Sequence, residues 1–182
     1  MGFWQKLFAS PAKPAPSYSV PDNTRVYAVG DIHGRADLLL KLQALIRADI
    51  ERHGVGKSIK VIFLGDYIDR GFHSKEVIDT LLKMDMPQVE LVFLAGNHED
   101  MLLRFLDDPA EGQLWLGVGG LATLASYGVF LGDDSSVEDL VDASVELAHK
   151  LPDAHLAFLK NLPTLDAVGD YRFVHAGVRP GV

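Results

Sequence analysis

The chain has 182 residues, of which 48% are hydrophobic, and this length suits one domain with a real core. Its formal net charge of −8 argues against non-specific nucleic-acid binding, which needs a basic surface. The sequence contains no cysteine, which excludes disulfides and thiolate metal sites within it and is compatible with a cytoplasmic protein.

The N-terminal residues 1–23 are expected to form a tail and a proline-rich linker. The opening MGFWQKLFAS is too short and too interrupted for a signal peptide, and no apolar run reaches the roughly 20 residues of a membrane-spanning helix. PAKPAPSYSVPDN is typical of an extended linker. We therefore expect a domain over residues 24–182 and no stable membrane association, with an interfacial anchor as the alternative for the tail.

A repeated pattern of short strand, polar loop and helix begins after this tail. Apolar runs of five to seven residues, rich in Val and Ile, predict strands, and leucines at helical spacing predict the helices between them. The predicted elements are strand Arg25–Val29, helix Arg35–Arg52, strand Ile59–Leu64, helix Ser74–Met84, strand Val89–Ala95 and helix Glu99–Leu106. The residues expected on buried helix faces are Leu38, Leu39, Leu42, Leu45, Ile46, Val77, Ile78, Leu81 and Leu82.

The second half begins with a glycine-rich stretch, WLGVGG, whose Trp115 is expected to pack in this region rather than to contact a ligand. Helices are predicted over Leu121–Ser126, Val137–Lys150 and about Asp153–Leu159. Strands Thr164–Val168 and Tyr171–Val174, joined by a Gly-Asp turn, predict a β-hairpin that ends in HAG.

The order of these elements predicts how the polar loops meet. Alternating strands and helices favour a parallel sheet with right-handed crossovers. In such sheets the loops at the carboxyl ends of the strands form the usual ligand crevice. The loops GDIHG, GDYIDRG and GNHE all follow strands directly, so we expect them at one edge of the sheet.

These loops carry a set of groups suited to divalent metals. Carboxylates, imidazoles and an amide oxygen are ligands for such ions, and a buried carboxylate needs a positive partner. Asp and Asn also favour turns and helix N-caps, which would explain any one loop but not four at successive strand ends. The candidate residues are Asp31, His33, Asp66, Asn97, His98 and His175.

The motifs GDIHG, GDYIDRG, GNHE and HAG, in this order, resemble the metallophosphoesterase (calcineurin-like) superfamily. They are most similar to its serine/threonine protein phosphatase branch, which has bacterial and phage members, and the resemblance covers Arg25–Pro180. It implies an α/β fold in which a β-sandwich is flanked by helices on both sides (α/β/β/α). It also implies a metal-dependent phosphoester hydrolase acting on phosphoproteins or small phosphoesters. Symmetric diadenosine tetraphosphate hydrolysis is the alternative enzyme, and a truncated, non-catalytic metal- or phosphate-binding domain is the alternative class.

The resemblance implies two divalent metal ions. Asp31, His33 and Asp66 would hold the first ion, and Asp66, Asn97 and His175 would hold the second. Two ions about 3.5–4 Å apart can position a phosphate and a hydroxide for in-line displacement. Manganese is the expected metal, and iron and zinc also fit this ligand set.

The resemblance also implies catalytic and substrate-binding roles. His98 would be the general acid that protonates the leaving alkoxide, and Asp69 would orient it. Arg70 would bind the phosphate through its planar guanidinium, with Asn97 and His98 as further substrate contacts. The sequence leaves the oligomeric state open.

The resemblance departs at the C-terminus. Family members continue past HAG with a further phosphate-binding Arg and a later Gly-His, whereas this sequence ends at Val182. We therefore expect a truncated or shortened phosphatase whose second ion is bound less firmly. Low activity and a tendency to self-associate are the expected consequences.

Overall fold

The computed structural model describes residues 17–132 and 135–178, so the predicted tail up to residue 16 and the last four residues lie outside the described part. The described strands are β1 (Thr24–Val29), β2 (Ser58–Phe63), β3 (Val89–Phe93), β4 (Leu165–Val168) and β5 (Tyr171–Val174). The α-helices are α1 (Ala36–His53), α2 (Ser74–Leu82), α3 (Asn97–Asp107), α4 (Gly112–Trp115), α5 (Leu121–Ser126), α6 (Val137–Lys150) and α7 (Asp153–Lys160). A 3₁₀ turn at Pro109–Glu111 precedes α4, and a π-helical turn at Leu116–Gly120 joins α4 to α5.

The predicted parallel sheet is confirmed. Strands β1, β2 and β3 lie side by side in this order, each pair is parallel, and Ala28, Ile62 and Val92 share one register position. Because the strands are parallel, their carboxyl ends meet at one edge of the sheet. The predicted hairpin is also confirmed, since β4 and β5 pair antiparallel across Gly169 and Asp170.

The two faces of the parallel sheet are covered by different layers. Val61 and Phe63 point into the main core, to which α1 through α7 contribute buried side chains. Ile62, on the opposite face, packs with Leu94 and with Val168 of the hairpin. The described residues therefore form a helical layer, a parallel sheet and a second small β-layer, in keeping with the expected α/β fold.

The prediction for the buried face of α1 is wrong in part. Leu39 and Ile46 are 2% and 7% exposed, whereas Leu38 and Leu45 are 47% and 68% exposed. The apolar residues of α1 cover a wider arc of the helix than the core can bury. The buried side of the helix is therefore the one that carries Leu39 and Ile46. Leu82 of α2 is also exposed, at 42%, while the other predicted residues of that face are buried.

Helix α3 starts two residues earlier than the sequence predicts. It begins at Asn97 rather than Glu99 because the Glu99 carboxylate accepts a hydrogen bond from the Gly96 N–H at 2.9 Å and closes the first turn. This places Asn97 and His98 on the rigid first turn of a helix instead of on a loop.

The described end of the predicted linker contacts the domain. The Ser19 N–H donates to the Asp170 carboxylate at 3.0 Å, and the Asp170 N–H donates to the Ser19 carbonyl at 3.0 Å. Val20 packs beside Val168 and Phe173 of the hairpin. Among the described residues, no helix is both long and apolar enough to cross a bilayer.

Candidate metal centre and active site

The six predicted metal-site and acid residues meet at the carboxyl edge of the parallel sheet. The first two follow β1, the third follows β2, two open α3 after β3, and the last follows the hairpin strand β5. Their side chains surround one carboxylate, that of Asp66, which is 4% exposed. The surrounding residues are Asp31, His33, Asn97, His98 and His175.

His33 presents an unpaired ring nitrogen to this carboxylate. Its Nδ1 lies 2.9 Å from the Ile68 carbonyl oxygen, and because a carbonyl only accepts, Nδ1 carries the hydrogen. The Nε2 atom is buried and has no hydrogen-bond partner. It lies 3.6 Å from Asp31 Oδ2 and 3.7 Å from Asp66 Oδ2. An orphaned, buried imidazole nitrogen between two carboxylates fits a cation at this position.

His175 is held in the same way on the other side of Asp66. Its Nδ1 lies 3.0 Å from the Leu64 carbonyl oxygen, which again leaves Nε2 free to accept. Nε2 lies 3.3 Å from Asp66 Oδ2 and 3.1 Å from Asn97 Oδ1. Ligand atoms of Asp31, Asp66 and His175 lie within 4.8 Å of one another, and so do those of His33, Asp66 and His98.

These separations match the edges of a metal coordination sphere. Two ligand atoms that each lie about 2.1 Å from one ion are roughly 3.0–3.5 Å apart at tetrahedral or octahedral angles. The donors around Asp66 are 3.1 to 3.7 Å apart, and all are nitrogen or oxygen atoms. The residues present therefore fit divalent ions, and Asp66 is shared by both groups.

Glu99 fixes the loop that carries Asp66. Its buried carboxylate accepts hydrogen bonds from the N–H groups of Asp66 and Tyr67 at 2.9 and 2.8 Å, as well as from Gly96. Burial raises the pKa of the Glu99 carboxyl, and these N–H donors oppose that rise. Glu99 therefore braces both its own loop and the loop that follows the neighbouring strand.

The site loops are strained. His33, Asp66, Asp69 and Arg70 all have positive φ, between 45° and 72°, which side chains other than glycine rarely adopt. The Gly65 and Gly96 backbones are in direct contact, so that a Cβ on either one would overlap the other loop. Strained backbone at four site residues is typical of groups that are held for a ligand rather than for packing.

His98 and Asp69 form a buried pair beside this centre. His98 Nδ1 lies 2.6 Å from Asp69 Oδ2, and the residues are 2% and 0% exposed. His98 Nε2 faces the centre, at 3.7 Å from Asp66 Oδ2. The Arg70 Nη2 atom lies 3.4 Å from the same Nε2, so the exposed Arg70 side chain flanks the imidazole at the entrance to the site.

Two residues that the sequence did not single out for this site also contact Asp69. Trp115 Nε1 donates to Asp69 Oδ2 at 2.8 Å, and Thr123 Oγ1 donates to Asp69 Oδ1 at 2.6 Å. Trp115 packs as predicted, with its ring 5.0 Å from that of Phe105, and the structure adds that it is fully buried. The only sequence signal for this role was the uncommon WLGVGG stretch, because the contacts join residues 46 and 54 positions apart.

A cavity opens beside the metal centre. Its volume is about 660 Å³, and it extends from Asn97 along Met101 and Arg104 of α3 to Leu114 of α4. Arg104 is paired with Asp100 at 2.8 Å across its rim.

The sequence matches the calcineurin-like phosphoesterase family over residues 24–178. The chain belongs to this family. The match spans all five strands and all of the candidate metal ligands described above.

Individual relatives are similar at low identity. A bis(5'-nucleosyl)-tetraphosphatase, PrpE [asymmetrical], of Anoxybacillus flavithermus is 30% identical over 83% of this chain and 56% of its own length. A zinc-dependent endopolyphosphatase of Saccharomyces cerevisiae is 30% identical over 89% of this chain and 50% of its own length. A PP2A-like serine/threonine-protein phosphatase, PPG1, of Candida albicans is 40% identical over 41% of this chain and 16% of its own length. The chain thus spans about half the length of the relatives that it matches most fully.

Proposed function

We propose that this chain is the metal-binding part of a phosphoester hydrolase whose substrates are phosphoserine and phosphothreonine in proteins. The observation that carries the proposal is the shared carboxylate of Asp66. It is shared by two groups of nitrogen and oxygen donors, one with His33 and His98 and the other with Asp31 and His175. His98 is also paired with Asp69, and the Arg70 guanidinium lies beside it.

The proposed ligands of the first ion are Asp31, His33 and Asp66, and those of the second are Asp66, Asn97 and His175. Two divalent ions, with manganese expected, would polarise the phosphate oxygens and lower the pKa of water, which supplies a nucleophile at neutral pH. The chain's own contribution is orientation. The Ile68 and Leu64 carbonyls hold the Nδ1–H of His33 and His175, so that both Nε2 atoms face Asp66.

His98 is the proposed general acid. Since Asp69 accepts from Nδ1, the second proton of the imidazolium is carried by Nε2, which faces the centre. Nε2 can pass this proton to the oxygen of the departing alcohol.

Arg70 is the proposed phosphate-binding residue. Its guanidinium is exposed at the edge of the centre, and its planar donors match two phosphate oxygens. Its position next to His98 would bring the phosphate and the proton donor together, with Asn97 on the opposite side.

The proposal is tested by hydrolysis assays on the chain after removal of metal and addition of manganese, zinc or iron. The substrates are 4-nitrophenyl phosphate and peptides with phosphoserine or phosphothreonine. We expect metal-dependent release of phosphate that the Asp66→Asn variant lacks. Equal rates for the wild type and Asp66→Asn with every metal would overturn the proposal.

A second candidate substrate class is the dinucleoside tetraphosphates. The Anoxybacillus relative aligns with 83% of this chain, whereas the PPG1 phosphatase aligns with 41%. Product analysis with diadenosine tetraphosphate separates the alternatives, because symmetric cleavage gives only ADP and asymmetric cleavage gives ATP and AMP. Faster turnover of this compound than of any phosphopeptide would favour the second candidate.

A further inference from the structure

The WLGVGG stretch and the start of α5 lie against the side of Asp69 that faces away from the metal centre. Trp115 and Thr123, which we call the Asp69 clamp, are both 0% exposed. Neither belongs to the two groups of candidate metal ligands. Their polar atoms nevertheless point at the carboxylate that orients His98.

The clamp completes the hydrogen bonding of Asp69. Oδ2 accepts from Trp115 at 2.8 Å and from His98 at 2.6 Å, while Oδ1 accepts from Thr123 at 2.6 Å. The Asp69 N–H in turn donates to Thr123 Oγ1 at 2.8 Å and to Ser74 Oγ at 3.1 Å. The carboxylate is therefore held by both of its oxygens and by its own backbone, and its plane has no freedom to rotate.

This arrangement also fixes the imidazole. An indole N–H can only donate and a carboxylate oxygen can only accept, so the Thr123 hydroxyl, 2.6 Å from Oδ1, directs its hydrogen there. The Ser74 hydroxyl lies 2.9 Å from Thr123 Oγ1 on its other side. His98 Nδ1, 2.6 Å from Oδ2, is likewise the donor as long as Asp69 is ionised, and the hydrogen bonds of Trp115 and Thr123 stabilise that ionised form. The clamp thereby keeps the hydrogen on Nδ1 and aims Nε2 at the metal centre.

The glycines of the stretch allow it to approach this closely. The Gly119 carbonyl accepts from the Arg70 N–H at 3.2 Å, and a Cβ on Gly119 would meet that nitrogen at 2.8 Å. A Cβ on Gly120 would meet the indole of Trp115 at 2.6 Å. Gly119 also has a φ of 124°, which disfavours other residues.

We propose that Trp115 and Thr123 are positioning residues, which set the orientation and tautomer of His98 through Asp69. The proposal deepens the proposed function and rests on it where rates are concerned. The proposed metal ligands are the same as above.

The test compares Thr123→Val, which keeps the shape and removes the hydroxyl, with Thr123→Ser, which restores a hydroxyl. Trp115→Phe removes the indole N–H. It is the second test variant, to be used if Thr123→Val does not fold. The control is Ser144→Ala, because the Ser144 hydroxyl is also buried but donates to the Phe105 carbonyl, away from Asp69.

The first readout needs no activity. In metal-free protein labelled with ¹⁵N-histidine, the His98 resonances, identified by their loss in His98→Asn, report which ring nitrogen carries the hydrogen. We expect Thr123→Val and Trp115→Phe to move these resonances toward a mixture of tautomers, and Thr123→Ser and Ser144→Ala to leave them unchanged. Unchanged resonances in folded Thr123→Val and Trp115→Phe would overturn the inference.

The second readout is the turnover number with two substrates. Removing the Thr123 hydroxyl should lower kcat roughly 10–100-fold for phenyl phosphate, a poor leaving group, and less for 4-nitrophenyl phosphate. KM and metal content should stay the same, and Thr123→Val should cause no further loss in an Asp69→Asn background. An equal loss for both substrates, or full additivity, would show a structural role only. If the wild type hydrolyses neither of these substrates nor a phosphopeptide, the proposed function fails and the NMR comparison alone decides the positioning.

Discussion

The loop that follows the central strand carries two buried aspartates in opposite surroundings. Asp66 faces the Nε2 atoms of three histidines, and its Oδ2 has no hydrogen-bond donor among the described residues. Asp69, three residues later, accepts hydrogen bonds from three side chains. The first carboxylate needs a cation to offset its burial, and the second has its charge stabilised by the protein itself.

The two aspartates of this loop are therefore suited to different proposed tasks: Asp66 to binding metal ions and Asp69 to orienting His98. Burial raises the pKa of the Asp69 carboxyl, and the hydrogen bonds from Thr123, His98 and Trp115 oppose that rise. Asp69 can therefore hold His98 whether or not metal is present. Asp66 can perform its proposed role only when an ion lies between it and the histidines.

His98 connects the two aspartates, and its replacement should have the largest effect on rate without disturbing the metals. His98→Asn is expected to lower kcat by about 10²–10⁴-fold, because the leaving alkoxide loses its proton donor. The loss should be smaller for 4-nitrophenyl phosphate than for a phosphoserine peptide. Metal content, measured by elemental analysis, should match the wild type, and loss of metal would instead make His98 a ligand.

Replacing Arg70 tests the proposed phosphate binding by the same loop, and its expected effect is smaller. Arg70→Lys keeps the charge and removes the planar pair of donors, so inhibition by inorganic phosphate should weaken about tenfold. Arg104→Lys is the matched control, since Arg104 is an exposed arginine of the cavity rim that pairs with Asp100. Equal weakening in both variants would remove Arg70 from the phosphate site.

The smallest expected effect is on thermal stability, and it contrasts the two aspartates directly. In metal-free protein, the Asp69→Asn variant places an NH₂ group opposite side chains that donate to the Asp69 carboxylate. This should lower the free energy of unfolding by about 1.5–3 kcal/mol. This corresponds to a fall in Tm of roughly 3–12 °C for a chain of this size. Asp66→Asn should leave Tm unchanged or raise it, because an unpaired charge is removed. A larger fall for Asp66→Asn would reverse the comparison.

The strand-end chemistry could be predicted from the sequence because it is local. GDIHG, GDYIDRG and GNHE each follow an apolar run, and a parallel sheet brings such loops together whatever the detailed packing. The bounds of α5 and α6 were also predictable from their leucine and valine spacing.

What the sequence could not give depends on three-dimensional packing. The exposure of Leu38 and Leu45 depends on how α1 is rotated about its own axis as it packs. Helical spacing alone does not define this rotation. The contacts of Trp115 and Thr123 with Asp69 join residues that lie 46 and 54 positions apart in the sequence. No local pattern distinguishes a tryptophan that only packs from one that also donates a hydrogen bond to a buried aspartate.

Anomalous diffraction from crystals of the chain soaked in manganese tests whether Asp66 is shared by two metal ions, as we propose. We expect two anomalous peaks, each in contact with Asp66, with His33 at one and His175 at the other. The Asp66→Asn crystal, soaked identically, should lose both peaks or keep one at reduced height. Peaks that lie away from Asp66, or that persist at full height in Asp66→Asn, would contradict the account.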